Sequence, residues 1–183
     1  ALEYSYDNFC IYTFLSKAKS EGFDVTDQLI ATFHQRALHF INHFNPQSKF
    51  MEARRAGLWD KNFKPNAVMF HYTEGNSWQY SLFTPHAIGV LKNLLGGEDG
   101  LEKWLDNLFH ADEELAGMHQ LDITGLIGQY AHGNEPSHHV AYLYNYTNTP
   151  HKANEILHKI VNEFYHNDPD GLIGNEDCGQ MSS

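Results

Sequence analysis

Three polar, glycine-bearing segments of this sequence carry the residue types that hydrolytic chemistry needs. The first is Tyr72-Thr73-Glu74-Gly75-Asn76-Ser77-Trp78-Gln79-Tyr80. The second is His132-Gly133-Asn134-Glu135-Pro136-Ser137-His138-His139. The third runs from Asn167 through Gly174-Asn175-Glu176-Asp177-Cys178 to Gln180. In each, a carboxylate stands near glycines, which let the backbone turn sharply and aim a side chain into a cleft. Trp78 and Tyr80, close to Glu74, offer a flat apolar platform for a sugar ring. An apolar wall also raises a carboxyl pKa, as a general acid requires. Taken singly, Glu74, Glu135 and Asp177 read as caps or solvated carboxylates. Three such segments in 183 residues weigh against that reading.

The same segments carry residue types that bind metals. His132, His138 and His139 with Glu135 are zinc-ligand types, but their spacing is neither His-Glu-x-x-His nor a Cys/His framework. Adjacent His138 and His139 on a helix would point about 100° apart and could not easily share an ion. Hydrogen-bonding or substrate-contact roles suit them better. The acidic tail imitates a calcium loop, with Asp168, Asp170, Gly171 and Ile173 at positions three, five, six and eight. Position one is then His166 and position twelve is Asp177 rather than Glu. A calcium site of oxygen ligands drawn from several segments fits better than an EF-hand.

The elements that must position these segments read as helices. A first helix is predicted over about Tyr4 to Lys19, ended by Ser20-Glu21-Gly22, with Phe9, Tyr12 and Leu15 as its buried stripe. Leu29, Ile30, Phe33, Ala37, Phe40, Ile41 and Phe44 mark one face of a second, capped by Thr26 or Asp24 and stopped at Asn45-Pro46. From Asn45 to Asn76 the pattern fails, and a loop of this length is usually functional. Helical signal returns from Trp78 to Leu95, broken near Pro85. It continues with Leu101, Trp104, Leu105, Leu108 and Phe109 on one face. Asp112 to Tyr130 reads as irregular. A short helix from Pro136 to Tyr146 follows. The last helix is capped by Thr149, with Ile156, Ile160, Val161 and Phe164 inward. No alternating strand pattern stands out. The fold class is all-α: helical hairpins joined by alternately short and long connections, one domain over 1–183.

Composition narrows the function. The net charge is −11, from 12 Lys and Arg against 23 Asp and Glu, so no nucleic-acid footprint of clustered positive charge is visible. No run approaches the roughly 20 apolar residues of a membrane span. The N-terminus lacks the basic and apolar regions of a signal peptide and an initiator Met, which suits a processed chain or a piece of a longer one. Cys10 and Cys178 read as free thiols. The 13 His would offset much of the negative charge below about pH 6.5.

The three segments, in this order, resemble those of glycoside hydrolase family 92, the calcium-dependent exo-acting α-mannosidases. The runs Gly133-Asn134-Glu135-Pro136-Ser137-His138-His139 and Gly174-Asn175-Glu176-Asp177-Cys178-Gly179-Gln180-Met181-Ser182 are the specific ones. Leu2-Glu3-Tyr4 with Asp7, Phe44-Asn45-Pro46 with Phe50-Met51, Tyr142-Leu143-Tyr144-Asn145 and Pro169-Asp170-Gly171-Leu172 extend the likeness along nearly the whole chain.

The resemblance implies part of an (α/α) toroid, with the family's N-terminal β-sandwich domain and the remaining toroid helices lying outside this chain. It implies hydrolysis of terminal α-mannosides with inversion, on mannose-containing glycans. Glu74 would be the general acid and Asp177 the general base, with Glu176 the less favoured neighbour. Calcium would be held by Asn134, Glu135 and Asn175, and Trp78, His132, His138 and His139 would contact substrate. Arg54 and Asp60 lie in the long loop and line the cleft or serve the loop itself. A secreted or periplasmic location follows from the calcium-dependent glycan chemistry. A carbohydrate-binding remnant without turnover, or a structural fragment inactive in isolation, is the alternative.

Overall fold

The computed structural model describes residues 1–121 and 123–174. Helix α1 (Leu2–Ser20) and helix α2 (Asp27–Ala37) pack together as a hairpin. Gly22, at φ 90°, makes the left-handed turn that ends α1. The Thr26 hydroxyl caps α2 by accepting from the Leu29 N–H at 3.2 Å, as the sequence predicts. The helical face read as continuous to Phe44 changes form after Ala37, where residues His39–His43 tighten into a 3-10 helix that buries Phe40.

The long segment after it is irregular but pinned. Strands β1 (Phe44–Asn45) and β2 (Phe50–Met51) pair antiparallel, as do β3 (Arg54–Arg55) and β4 (Leu58–Trp59). Met51 is the anchor. Its carbonyl accepts from the Tyr72 hydroxyl at 2.7 Å and the Ser77 hydroxyl at 2.8 Å, and its N–H donates to Ser81 Oγ at 2.9 Å. A backbone without its own ladder must find partners elsewhere, and here side chains from 72–81 supply them. Strand β5 (Ala67–Val68) then pairs in parallel with β6 (Ala116–Gly117), and β7 (Leu126–Ile127) antiparallel with β8 (Tyr130–Ala131). The absence of alternating patterns is thus a matter of length: two-residue strands have no period to read.

The helices of the second half are α3 (Ser77–Tyr80), α4 (Ile88–Leu95), α5 (Gly97–His110) and α6 (His151–Phe164). Helices α4 and α5 form a tight corner at Gly96, φ 111°. A Cβ on Gly100 would stand 2.3 Å from the Leu95 carbonyl oxygen, so the corner closes only on glycine. Leu101, Trp104, Leu105, Leu108 and Phe109 are all buried, which is the stripe the sequence predicts for α5. They pack with Leu91, Tyr130, Val140, Leu143 and Tyr144 in the main core.

Three details of the last elements differ from expectation. The segment from Pro136 to Tyr146 is two 3-10 pieces, Glu135–Ser137 and Ala141–Tyr146. Pro150 rather than Thr149 occupies the N-cap of α6, and the Thr149 hydroxyl turns to Thr147. Val161 is exposed at 59%, while Ala153 and Ile160 face inward, because α6 covers the core along a narrower stripe. The molecule is a helical domain of hairpins with long pinned loops.

Candidate active site

The turn that carries Glu74 is held from both sides. On its C-terminal side, Asn76 caps α3: its side chain accepts from the Gln79 N–H, and the Gln79 side chain accepts from the Asn76 N–H. This reciprocal box fixes a helix of a single turn. Both residues reach further. Asn76 donates to the Gln129 side chain at 3.0 Å and Gln79 to the Gln129 carbonyl at 3.2 Å. Gln129 in turn donates to the carbonyls of Asp112 and Glu114. Gln129 is fully buried and sits in the two-residue turn between β7 and β8.

On the other side, the Asn134 amide donates to the Glu74 carbonyl at 3.0 Å. Asn134 is buried, and it belongs to the second polar segment. Two motifs about 60 residues apart in sequence are therefore one wall in space. The Tyr80 hydroxyl reaches the same place, in hydrogen-bonding contact with Glu74 backbone and Asn134 side chain. Burial pushes the Tyr80 hydroxyl up to about 12, and the carboxylate of Glu3 adds to the shift. The phenol stays neutral and accepts from both the Glu74 backbone and the Asn134 side chain.

A pocket of about 200 Å³ opens beside this turn, lined by Glu3, Glu52, Tyr72, Thr73 and Tyr80 among others. That is smaller than the roughly 300–1,000 Å³ usual for ligand sites. Glu52 is buried at 3% exposure, with its carboxylate accepting from Asn45 at 3.0 Å and from Ser48. Burial raises the Tyr72 hydroxyl to about 12. Glu3 and Glu52 are site residues that sequence reasoning passed over. Their only signal was adjacency to the family landmarks Leu2-Glu3-Tyr4 and Phe50-Met51.

The remaining sequence-predicted residues fall into three groups. Trp78 lies in an aromatic cluster, edge-on to Phe50 at 4.6 Å and 5.0 Å from Trp104. It backs the Glu74 turn rather than lining the pocket. His132 is buried, with Nδ1 hydrogen bonded to the Tyr130 hydroxyl at 2.7 Å and Nε2 to the Tyr165 hydroxyl at 2.6 Å. A neutral ring has one donor and one acceptor nitrogen, so one tyrosine donates and the other accepts. Burial, and His138 next to it, lower the His132 pKa to about 4.

His138 donates through Nε2 to the His132 carbonyl, and His139 through Nε2 to the Leu82 carbonyl. Both line an open groove of about 430 Å³ together with exposed Glu135, Tyr6, Phe83 and Tyr142. Glu176, Asp177 and Asn175 lie outside the described residues.

The donor chemistry here suits a hard cation. Asn134 keeps its amide oxygen after donating through nitrogen to Glu74, and Glu135 presents a carboxylate. The buried Thr124 hydroxyl has no hydrogen-bond partner among the described residues, and the Thr124 carbonyl accepts from the Gly133 N–H. These oxygens fall short of the 6–8 that calcium takes. No group of three or more His, Cys, Asp or Glu side chains is gathered among the described residues.

The third segment approaches the second glycine on glycine. Ile173 packs on Gly125, and a Cβ on Gly174 would stand 2.5 Å from the Gly133 Cα. Gly174 is the last described residue before the Asn175-Glu176-Asp177 run.

Comparison with known proteins bears on this arrangement. Residues 1–183 match the glycosyl hydrolase family 92 catalytic domain. A family GH92 α-mannosidase from Bacteroides thetaiotaomicron is 40% identical, with a TM-score of 0.83 over 99% of this chain and 22% of that one. Its complex with mannoimidazole superposes with a TM-score of 0.84, covering 99% of this chain and 24% of that one. An inverting family GH92 mannosidase of the same species is 31% identical, with a TM-score of 0.75 over 99% of this chain and 25% of that one. An uncharacterized secreted glycosidase of Arthroderma benhamiae is 25% identical across the whole chain, which covers 24% of it. The chain thus spans about a quarter of the length of these relatives. No helix among the described residues is long and apolar enough to cross a membrane. With its motifs on one wall and its whole length matched, the chain belongs to glycosyl hydrolase family 92, as a stretch of that family's catalytic domain.

Proposed function

We propose that this chain supplies the acid side of a secreted exo-α-mannosidase that removes terminal α-mannose from glycans with inversion. The observation that carries the reading is the joint between the Glu74 turn and Asn134, which sets the acid segment against the Asn134-Glu135 segment beside a pocket. A relative named as an α-mannosidase and another named as an inverting mannosidase support the substrate class.

In this mechanism Glu74 protonates the departing glycosidic oxygen. Asp177 accepts a proton from water on the opposite face of the sugar, at a carboxyl separation of roughly 6.5–9.5 Å. Tyr80, held neutral, accepts from the backbone N–H of Glu74 and keeps that turn in place. Trp78 packs behind the turn and excludes water from its rear. His138, His139 and Glu135 would contact the terminal mannose from the second segment, and His132 braces that segment from beneath. Asn134, Glu135 and Asn175, joined by Thr124, would hold calcium, which would coordinate the sugar's vicinal hydroxyls. The remaining walls, including a β-sandwich domain and the rest of a toroid, would come from outside these 183 residues.

The test is Glu74→Gln in the full-length protein. Loss of a general acid should cost about 10²–10⁴-fold in kcat on a mannobioside. An activated aryl mannoside, which needs little protonation, should keep most of its rate. Equal rates for variant and parent on the mannobioside would refute the assignment. The product's anomeric configuration, read by proton NMR in the first turnovers, should be β.

A further inference from the structure

Beyond the pocket beside Thr73 and Tyr80 and the groove at His138 and His139, the β3–β4 hairpin builds a third. Its turn residues Ala56 and Gly57 both have positive φ, 48° and 81°. That is the type I′ geometry that matches strand twist in a two-residue loop. Arg54 is spent on bracing the hairpin. It donates to the Gly57 carbonyl through Nε and Nη2, and to the Asn42 carbonyl through Nη1. Its guanidinium lies 4.5 Å from the Trp59 ring centre.

Around this brace lies a pocket of about 550 Å³, lined among others by Arg55, Leu58, Trp59, Asp60, Lys61 and His71. It shares Ala53, Arg54 and His71 with the pocket beside the Glu74 turn, so the two adjoin at these residues.

The charges in it are out of keeping with the rest of the molecule. Five lysines are paired with carboxylates, Arg36 and Lys49 lie over phenylalanine rings, and Arg54 is bound as described. Arg55, Lys61, Lys64 and Lys103 have no such partner among the described residues. In a chain of net charge −11, Arg55 and Lys61 thus line one pocket as unpaired cations. The nearby Asp60 carboxylate accepts from the Asn62 N–H. An aromatic ring supplies a stacking surface for a sugar, and unpaired cations select negative charge.

We infer that this hairpin pocket binds the leaving-group side of the substrate, and that it selects a glycan whose leaving sugar carries an anionic substituent. The shared chemistry is one negative charge on a sugar ring, whether a phosphate monoester or a uronic carboxylate. The inference rests on the α-mannosidase reading for the side of this junction on which the scissile bond lies.

The experiment compares four substrates in the full-length protein: an aryl α-mannoside, neutral α-mannobiose, and α-mannosyl disaccharides bearing 6-phosphate or glucuronate as leaving sugar. The anionic disaccharides should be favoured over mannobiose by 10-fold or more in kcat/KM, mainly through KM. Raising salt from 50 to 500 mM should erode the preference. The double change Arg55→Ala and Lys61→Ala should abolish it and leave the aryl mannoside rate unchanged. Both side chains are exposed and unpaired, so this variant should fold as the parent does. Preference for phosphate alone or uronate alone supports the inference and names the source. Equal kcat/KM for neutral and anionic disaccharides, or a preference the double variant retains, overturns it. Should no α-mannoside be hydrolysed, the underlying reading has failed. Calorimetric binding of mannose 6-phosphate then decides the pocket by itself: binding weakened tenfold in the double variant supports the cation site, and equal binding overturns it.

Discussion

Gln129 shows how much of the site depends on a residue that performs no chemistry. One buried amide accepts from Asn76 and donates to two carbonyls, and its own carbonyl accepts from Gln79. Gln129→Ala leaves the buried Asn76 amide without that partner, while the exposed carbonyls of Asp112 and Glu114 can turn to water and the Glu114 carbonyl keeps the Asn66 amide. Stability should therefore fall by about 1–3 kcal/mol, the cost of one buried orphan, read as a lower urea midpoint, and mannosidase activity should fall with it. An unchanged midpoint would mean that water replaces the amide at no cost. Nothing in the sequence marked Gln129, because its importance comes from partners 15 to 53 positions away. The pattern around Glu74 was legible, since a carboxylate, a glycine, a capping Asn and two aromatics are adjacent in the chain. Glu52 was not, because a buried carboxylate is recognised only by what surrounds it.

At the scale of elements, part of the local chemistry is legible in the sequence, although Phe9, Tyr12 and Leu15, expected as the buried stripe of α1, are only half-buried and Leu2 and Ser5 face inward instead. Thr26 as a cap and the buried stripe of α5 are properties of a few consecutive residues. Thr149 was misjudged because Thr147 competes for its hydroxyl, and the inward face of α6 because its neighbours cover a narrower strip than periodicity implies. The shortest helix is the most sensitive to change. A methyl group on Gly75 would stand 2.7 Å from Gln79 Oε1 and 3.1 Å from the Tyr80 ring. That oxygen is half of the capping box on α3. Gly75→Ala should displace it and cost about 1–3 kcal/mol. The kcat on a mannobioside should fall further than that of Asn62→Ala, a control in an exposed turn. Equal rates for the two variants would show that the turn tolerates the shift.

For the whole molecule, half-buried histidines contribute to the loss of stability in acid. Burial lowers the pKa of His86, whose Nε2 donates to the Ala37 carbonyl while Tyr6, Phe9 and Phe40 enclose the ring. Burial lowers that of His43 too. Unfolding frees both to take protons near the ordinary value of about 6.5. Their contribution is complete above that pH and is lost as pH falls below it toward the depressed native values. Melting temperature should decline from pH 7 to pH 5, and His86→Gln should flatten the decline. A parent curve flat across that range would contradict the assignment. The 13 histidines announced some pH dependence, but which of them are neutral in the fold depends on burial that composition does not reveal. Large apolar side chains also stand exposed on α1, with Tyr4 at 72% and Phe14 at 71%. Apolar area left wet at about 25 cal/mol per Å² favours covering that face. The chain spans about a quarter of its relatives' length, so much of the wider architecture lies beyond what these residues encode.

The joint between Glu74 and Asn134 also has a meaning in time. Its two ends are separated by 60 positions, and the Asn76–Gln129 bond beside it by 53. A ribosome adds about 5–20 residues per second. The Glu74 turn therefore emerges into solvent several seconds before either of its clamps exists. During that interval the capping box is the only one of these restraints available to it, and a one-turn helix in water is marginal. The Glu74 carboxylate is thus set in place only when the second motif arrives, and the nascent chain carries it unshaped until then.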